Sequence, residues 1–208
     1  LPPEVGKSWF DFDHYYCDLA TPAALDIVFE KKPKRLLDIG GNTGKWALAC
    51  TAKDPDVEIT IFDLPGQAGL AQQKMKDAGV ENRVHFHIAN ILHEELPFPQ
   101  GFDAIWMSQF LDCFSEPEIV SILSRCREAL NENGTVYILE PFWNRQQFKS
   151  AAFCLQQTSL YFTAMANGNS QMYHTDDFFR CVEDAGLAII EENDQMGMNY
   201  TLLKCQRK

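Results

Sequence analysis

Residues Leu36 to Gly44 read Leu-Leu-Asp-Ile-Gly-Gly-Asn-Thr-Gly, an apolar run that passes into a glycine-rich turn. Gly40, Gly41 and Gly44 permit positive φ and close approach of backbone to a ligand. A helix starting just after such a turn presents unpaired N–H groups and partial positive charge, which suit a carboxylate or phosphate. Asp63 ends the next apolar run, about twenty residues on. A carboxylate there can accept both hydroxyls of a ribose, at about 1.5–3 kcal/mol for each charge-assisted bond. Together these residues describe a nucleoside site at the carboxyl edge of a parallel sheet. The G-x-G-x-x-G fingerprint of dinucleotide sites fails, because position 42 is Asn and the residue three past it is Lys45. This argues against a nicotinamide-dependent oxidoreductase. The pattern is instead Asp38-x-Gly40-x-Asn42-x-Gly44. The competing reading is a tight strand–helix turn without a ligand, in which Asp63 only caps the next helix.

The elements that must position these residues alternate along the chain. Helical spacing of aromatic and aliphatic residues predicts an opening helix over residues 10–30, closed by Lys31-Lys32-Pro33. Strands are predicted at Arg35–Ile39, Val57–Phe62, Val84–Ile88, Phe102–Met107, Thr135–Glu140, Leu187–Glu192 and Asn199–Cys205. Helices are predicted at Gly44–Ala52, Ala68–Ala78, Pro117–Leu130, Gln146–Met165 and Thr175–Ala185. Asn131–Gly134 reads as a helix-stop turn, Asn167-Gly168-Asn169 as the end of the long helix, and Thr175 as an N-cap. Such alternation gives a parallel sheet with helices on both faces. The short final connection, Asn193–Met198, permits an antiparallel hairpin but not a parallel crossover. The expected fold is therefore α/β, Rossmann-like and doubly wound, with a mostly parallel seven-stranded sheet and one antiparallel strand near the edge. Residues 1–30 form the helical lead-in and residues 31–208 the ligand-binding domain.

Composition narrows the function further. The 208 residues carry a formal net charge of −11, which argues against a nucleic-acid partner. No apolar run approaches the ~20 residues of a membrane-spanning helix. The seven cysteines (17, 50, 113, 126, 154, 181 and 205) form no CxxC pair. A reduced, cytoplasmic protein is expected. His85 and His87 alternate on one strand and share a face. With His93 as the only further candidate, two histidines on a strand face is the better reading, and no metal site is expected.

On the glycine turn, Asp63 and the order of elements, the chain resembles the class I S-adenosylmethionine-dependent methyltransferases. Within them it is similar to the catalytic domain of the small-molecule O-methyltransferases of caffeate and hydroxyindole type and their bacterial relatives. The resemblance runs from the opening helix to the last strand. It implies S-adenosyl-L-methionine as cofactor and a small aromatic or polycyclic acceptor. It places Asp38 and Gly40 at the methionine end, Asp63 and Leu64 at the ribose and adenine, and Asn90 and Ile91 beside the adenine. Ser108 falls where many relatives have lysine, and Thr21 matches a serine that touches the donor in some. The family's N-terminal winged-helix dimerisation domain has no counterpart here. With Leu1 as first residue, the chain is expected to begin partway through a longer, homodimeric protein.

The same comparison exposes a departure. The family removes the acceptor proton with a histidine in a Leu-His-Asp-Trp-Ser-Asp stretch. This chain has Leu111-Asp112-Cys113-Phe114-Ser115-Glu116, which puts Asp112 at the histidine position. Glu140 matches a glutamate that supports the histidine, and Tyr173 replaces a second one. An ordinary Asp is about 2.6 pK units less basic than His, roughly 3.5 kcal/mol of proton-transfer driving force. Asp112 is therefore a shifted general base, an orienting group, or only a cap. His174 is an alternative base, or merely the residue before a helix cap. The cluster Trp9, Phe10, Phe12, Tyr15 and Tyr16 and the group Phe142, Trp143, Phe153, Tyr161 and Phe162 form an acceptor pocket, core, or a contact with another domain or a second subunit. The function expected is O-methylation of a small aromatic acceptor. The alternatives are a donor-binding protein without transfer activity, or one acting on a non-oxygen acceptor.

Overall fold

The computed structural model describes residues 18–165 and 168–208. The cluster Trp9, Phe10, Phe12, Tyr15 and Tyr16, with Cys17, the start of the opening helix and Asn167, lies outside the described residues. Seven strands form one sheet: β1 (Arg35–Ile39), β2 (Glu58–Asp63), β3 (Val84–Ile88), β4 (Phe102–Ser108), β5 (Leu130–Glu140), β6 (Leu187–Met196) and β7 (Tyr200–Arg207). Their order is β3-β2-β1-β4-β5-β7-β6. All pairs from β3 to β5 are parallel, and β7 runs antiparallel to both β5 and β6. The mostly parallel sheet with one antiparallel strand beside the edge is thus what the chain forms.

Among the described residues six helices cover it. They are α1 (described part 18–29), α2 (Lys45–Lys53), α3 (Pro65–Asp77), α4 (Glu116–Ala129), α5 (Lys149–Met165) and α6 (Thr175–Asp184). The central strands are apolar on both faces because both faces are covered. Leu36, Ile59, Ile61 and Trp106 pack under α1, α2 and α3, against Ala24, Val28, Ala47 and Met75. Leu37, Ile39, Ile105 and Ile138 pack under α4 and α6, against Ile122, Leu123, Phe178 and Val182. The strand order reverses between β1 and β4, and a crevice opens outside the carboxyl ends of strands at such a point. The glycine turn and the segment after β4 both lie there.

Three local expectations are corrected. Residues Asn131–Gly134 are not a separate turn: α4 passes directly into β5, whose first residues bulge between the Phe102–Leu130 and Ala104–Thr135 pairings. Gly134 makes this fit, since a Cβ there would lie 2.9 Å from the Phe102 carbonyl oxygen. The long helix starts at Lys149 rather than Gln146, because Trp143–Arg145 forms a 3-10 turn. The Gln146 amide then donates to the carbonyls of Phe142 (2.8 Å) and Asn199 (2.9 Å). At α6 the N-cap is His174, not Thr175. Its Nδ1 accepts the Asp176 N–H at 3.1 Å, while Asn144 holds both the N–H and the hydroxyl of Thr175.

Gly44 opens α2 with φ +76°, and an added Cβ would stand 2.6 Å from the Met75 methyl. Gly44→Ala is expected to destabilise the protein by about 1–2 kcal/mol through the left-handed backbone alone. That lowers the urea midpoint by roughly 0.5 M. Gly66→Ala, whose methyl meets nothing within 4 Å, is the control and leaves the midpoint unchanged or higher.

Candidate active site

The glycine turn takes its shape from three left-handed residues in alternation, Gly40 (φ 72°), Asn42 (φ 48°) and Gly44 (φ 76°). Asparagine is among the few non-glycine residues that tolerate this conformation, which accounts for Asn at the middle position. The Gly40 N–H donates to the Phe62 carbonyl at 2.9 Å, and the Gly44 N–H to that of Gly41 at 2.8 Å. Asp63, at the end of β2, holds the turn from below. Its Oδ2 accepts the Asn42 N–H at 2.8 Å and its Oδ1 the Leu64 N–H at 2.7 Å. The N-cap of α2 is Gly44, which has no side chain to take its first N–H groups.

A cleft of about 490 Å³ opens between α1, this turn and the ends of β4 and β5. Of the residues expected at a donor site, Asp38, Gly40, Ser108 and Thr21 line it. Asp63, Leu64, Asn90 and Ile91 stand at the ends of β2 and β3 and are not part of its lining. Leu64 is 49% exposed before α3. The Asn90 side chain accepts the Leu92 N–H at 3.0 Å, and the buried Ile91 presents its carbonyl to Arg125.

The cleft also has walls that the sequence reading did not single out. Trp46 and Trp106 stack with ring centroids 4.0 Å apart and planes inclined by 12°. The signal available for them was position: one lies just past the turn and the other two residues before the end of β4. Lys45 bridges to Asp18 at 2.6 Å and ties α2 to α1 at the rim. Gln109 follows β4 with φ 47°, and its side-chain oxygen accepts the Tyr200 hydroxyl at 2.6 Å. A left-handed glutamine carries no sequence mark, so only the structure could find it.

Two carboxyls here are shifted by their surroundings, one buried and one half-buried. Asp38 is 2% exposed, and its Oδ2 has no hydrogen-bond partner. Burial, and then the charge of Asp63, pushes its pKa up to about 8. Burial also raises Asp63, against the lowering effect of the Leu64 and Asn42 N–H groups.

Asp112 and Glu140 lie at a different place. Asp112 sits in the 3-10 turn Leu111–Cys113. Glu140, 2% exposed, reaches under that turn, and its Oε1 accepts the N–H groups of Phe110 (3.0 Å) and Leu111 (2.8 Å). Tyr173 does not take over a carboxylate's role, because its hydroxyl donates to the Phe114 carbonyl at 2.5 Å. His174 is engaged as the α6 cap, with its ring on Trp143 at 4.8 Å. Of the aromatic group after β5, Phe142 is core against Phe178, whereas Phe153 and Tyr161 are exposed. The His87 ring packs on Phe62 at 4.6 Å. Among the described residues no cluster of three His, Cys, Asp or Glu could hold a metal ion.

The sequence of residues 18–188 matches the model of the O-methyltransferase domain. The chain belongs to that family. Among its relatives is an L-tyrosine C(3)-methyltransferase of Streptomyces lavendulae, 23% identical over 184 residues, which are 88% of this chain and 49% of that protein. Another is a 3-hydroxy-5-methyl-1-naphthoate 3-O-methyltransferase of Streptomyces sahachiroi, 32% identical over 107 residues, 51% of this chain and 30% of that protein. The chain thus spans about half the length of these relatives or less. The fold matches the crystal structure of the S-adenosylmethionine-dependent methyltransferase SibL with a TM-score of 0.81 at 23% identity, covering 99% of this chain and 59% of that one. The family resemblance and the fold expected from the sequence both hold.

The raised Asp38 has a consequence for stability. The unfolded chain ionises this group near its ordinary 3.8, the folded protein near 8. Between those values the folded protein binds the extra proton, so stability falls as pH rises through this window. Asp38→Asn removes this contribution. Its melting temperature relative to wild type is expected to be unchanged near pH 4 and higher near pH 8, each kcal/mol appearing as about 2–4 °C. A pH series of thermal melts on both proteins checks it.

Proposed function

We propose that the chain is the donor-binding domain of an S-adenosylmethionine-dependent methyltransferase acting on a small aromatic hydroxyl compound. The carrying observation is the cleft in which the unpartnered, buried Asp38 carboxyl adjoins the uncapped start of α2. A zwitterion that also bears a sulfonium fits this pairing of a carboxyl with a positive helix end. In this reading Asp38 receives the ammonium and the N–H groups of α2 the carboxylate. Asp63 retains acceptor capacity for the ribose hydroxyls beyond its two backbone bonds. Leu64, Asn90 and Ile91 flank the adenine, and Thr21, Gly40 and Ser108 line the cleft with Asp38 at the methionine end. S-adenosylmethionine, when bound, supplies an activated methyl group. The chain's own part is to align the acceptor hydroxyl, with Asp112 as the group that meets it and Glu140 as its support. The exposed apolar side chains of α5, such as Phe153 and Leu160, support a homodimer of the whole protein. The buried free cysteines 50, 126, 181 and 205 support a cytoplasmic setting.

One observation favours a second reading, methylation of a ring carbon beside the hydroxyl. The relative that aligns with 88% of this chain is named for methyl transfer to C3 of tyrosine. Asp112 in place of a histidine agrees with a reaction in which proton removal from oxygen is not decisive. Incubation with S-adenosylmethionine and either a hydroxynaphthoate or tyrosine, followed by fragmentation mass spectrometry, separates the readings. Methyl on oxygen supports the first and methyl on a ring carbon the second. Tight S-adenosylhomocysteine binding without any methylated product overturns both in favour of a binding protein. In the same assay Asp63→Ala is expected to weaken S-adenosylhomocysteine binding by roughly 10–100-fold, the worth of one charge-assisted bond of about 1.5–3 kcal/mol.

A further inference from the structure

Three buried polar atoms of one strand–turn–helix unit have no hydrogen-bond partner: Asp38 Oδ2, the side-chain oxygen Oδ1 of Asn42, and Trp46 Nε1. Asp38 stands in β1, Asn42 in the glycine turn and Trp46 in the first turn of α2. All three residues line the same cleft. Asp38 is 2% and Trp46 9% exposed, so bulk water does not serve them. A buried donor or acceptor left without a partner is costly, and native proteins rarely keep one without a reason.

The chemistry of the three atoms states what would satisfy them. An indole N–H only donates, so it calls for an acceptor. The Asn42 oxygen accepts, as does a carboxylate at Asp38, so these two call for a donor. An anionic oxygen group beside a cationic nitrogen meets all three, and an α-amino acid carries that pair on a single carbon. Trp46 is placed for the anionic half. The Cβ of a helical residue tilts toward the N-terminus of its helix, here the glycine turn, where the first N–H groups of α2 already favour negative charge. The stack on Trp106, with centroids 4.0 Å apart, holds the indole ring. Lys45, the one cation among the residues lining the cleft, is taken by Asp18 at 2.6 Å. A carboxylate in this cleft is therefore left to N–H donors.

We propose that Trp46 and Asn42 are specificity residues of the donor site: the Trp46 N–H binds the carboxylate of the donor's methionine end, and the Asn42 oxygen, with Asp38, its ammonium. The site then selects an adenosyl compound with an amino-acid tail over the same nucleoside without one. The inference rests on the donor-binding reading above and adds two residues to it.

Calorimetric titration of the protein with S-adenosylhomocysteine and, separately, with methylthioadenosine tests this, because the second ligand keeps the nucleoside and the thioether but lacks the amino-acid tail. The wild type is expected to bind S-adenosylhomocysteine tighter by about tenfold or more. Trp46→Phe keeps an aromatic ring on Trp106 and removes the N–H. Asn42→Gly removes the side-chain oxygen and suits the left-handed backbone at φ 48°, and it leaves the main-chain N–H for Asp63. Each variant is expected to weaken S-adenosylhomocysteine by about tenfold, the worth of a hydrogen bond to a charged group, and to leave methylthioadenosine within about twofold. Losses shared equally by both ligands would mark a structural role, and unchanged affinities would mark no contact. Either result overturns the proposal, while tight S-adenosylhomocysteine binding by the wild type leaves the donor reading standing. Asn42→Gly decides the matter if Trp46→Phe does not fold. Equal affinity of the wild type for the two ligands overturns the proposal without any variant. A wild type that binds neither ligand overturns the donor reading and this inference with it.

Discussion

The hydrogen bond from the Asn42 N–H to the Asp63 carboxylate holds the glycine turn over the end of the sheet. Everything at the cleft depends on it. The turn is built from three left-handed residues in alternation, a conformation that costs energy for any side chain. A carboxylate fixed at the end of the neighbouring strand gives the middle residue a partner. With the turn pinned, α2 starts in register with β1, its first N–H groups stay uncapped, and Asp38 is closed in beneath them. Burial first, and repulsion by the same carboxylate second, raises the pKa of Asp38. One interaction thus shapes the turn and adds to the shift of the carboxyl beneath it.

A parallel construction recurs on the other side of the β1–β4 switch point. Glu140 ends β5 and accepts the two N–H groups that open the turn carrying Asp112. In both places an acidic residue at the carboxyl end of a strand organises the loop of its neighbour. The difference lies in what remains. Asp63 is half-buried and both of its oxygens have partners, whereas Glu140 is enclosed and keeps one oxygen without any. The first arrangement leaves a carboxylate able to accept further hydroxyls; the second favours a held proton.

Much of this could be read from the residues because it follows from local rules. The apolar runs of β1, β3 and β4 are continuous or alternating and bounded by turn residues, and the short last connection forces the hairpin of β6 and β7. The glycine turn and Asp63 were visible as spacing. What escaped depends on contacts distant in sequence. His174 caps α6 because Asn144, thirty-one residues earlier, holds Thr175. Gln109 bends into a left-handed conformation between the Leu139 carbonyl and the Tyr200 hydroxyl. The Trp46–Trp106 stack joins a helix to a strand that is not its sequence neighbour. Tyr173 aligns with a glutamate yet serves the Phe114 carbonyl, a substitution of partner that no pattern reveals.

Isothermal titration calorimetry of the protein with S-adenosylhomocysteine tests the central claim most directly, because that ligand fills the donor cleft without requiring an acceptor. The account predicts a saturable single-site isotherm that is weakened in Asp38→Asn. A flat titration, with no shift in melting temperature on adding the ligand, would contradict it.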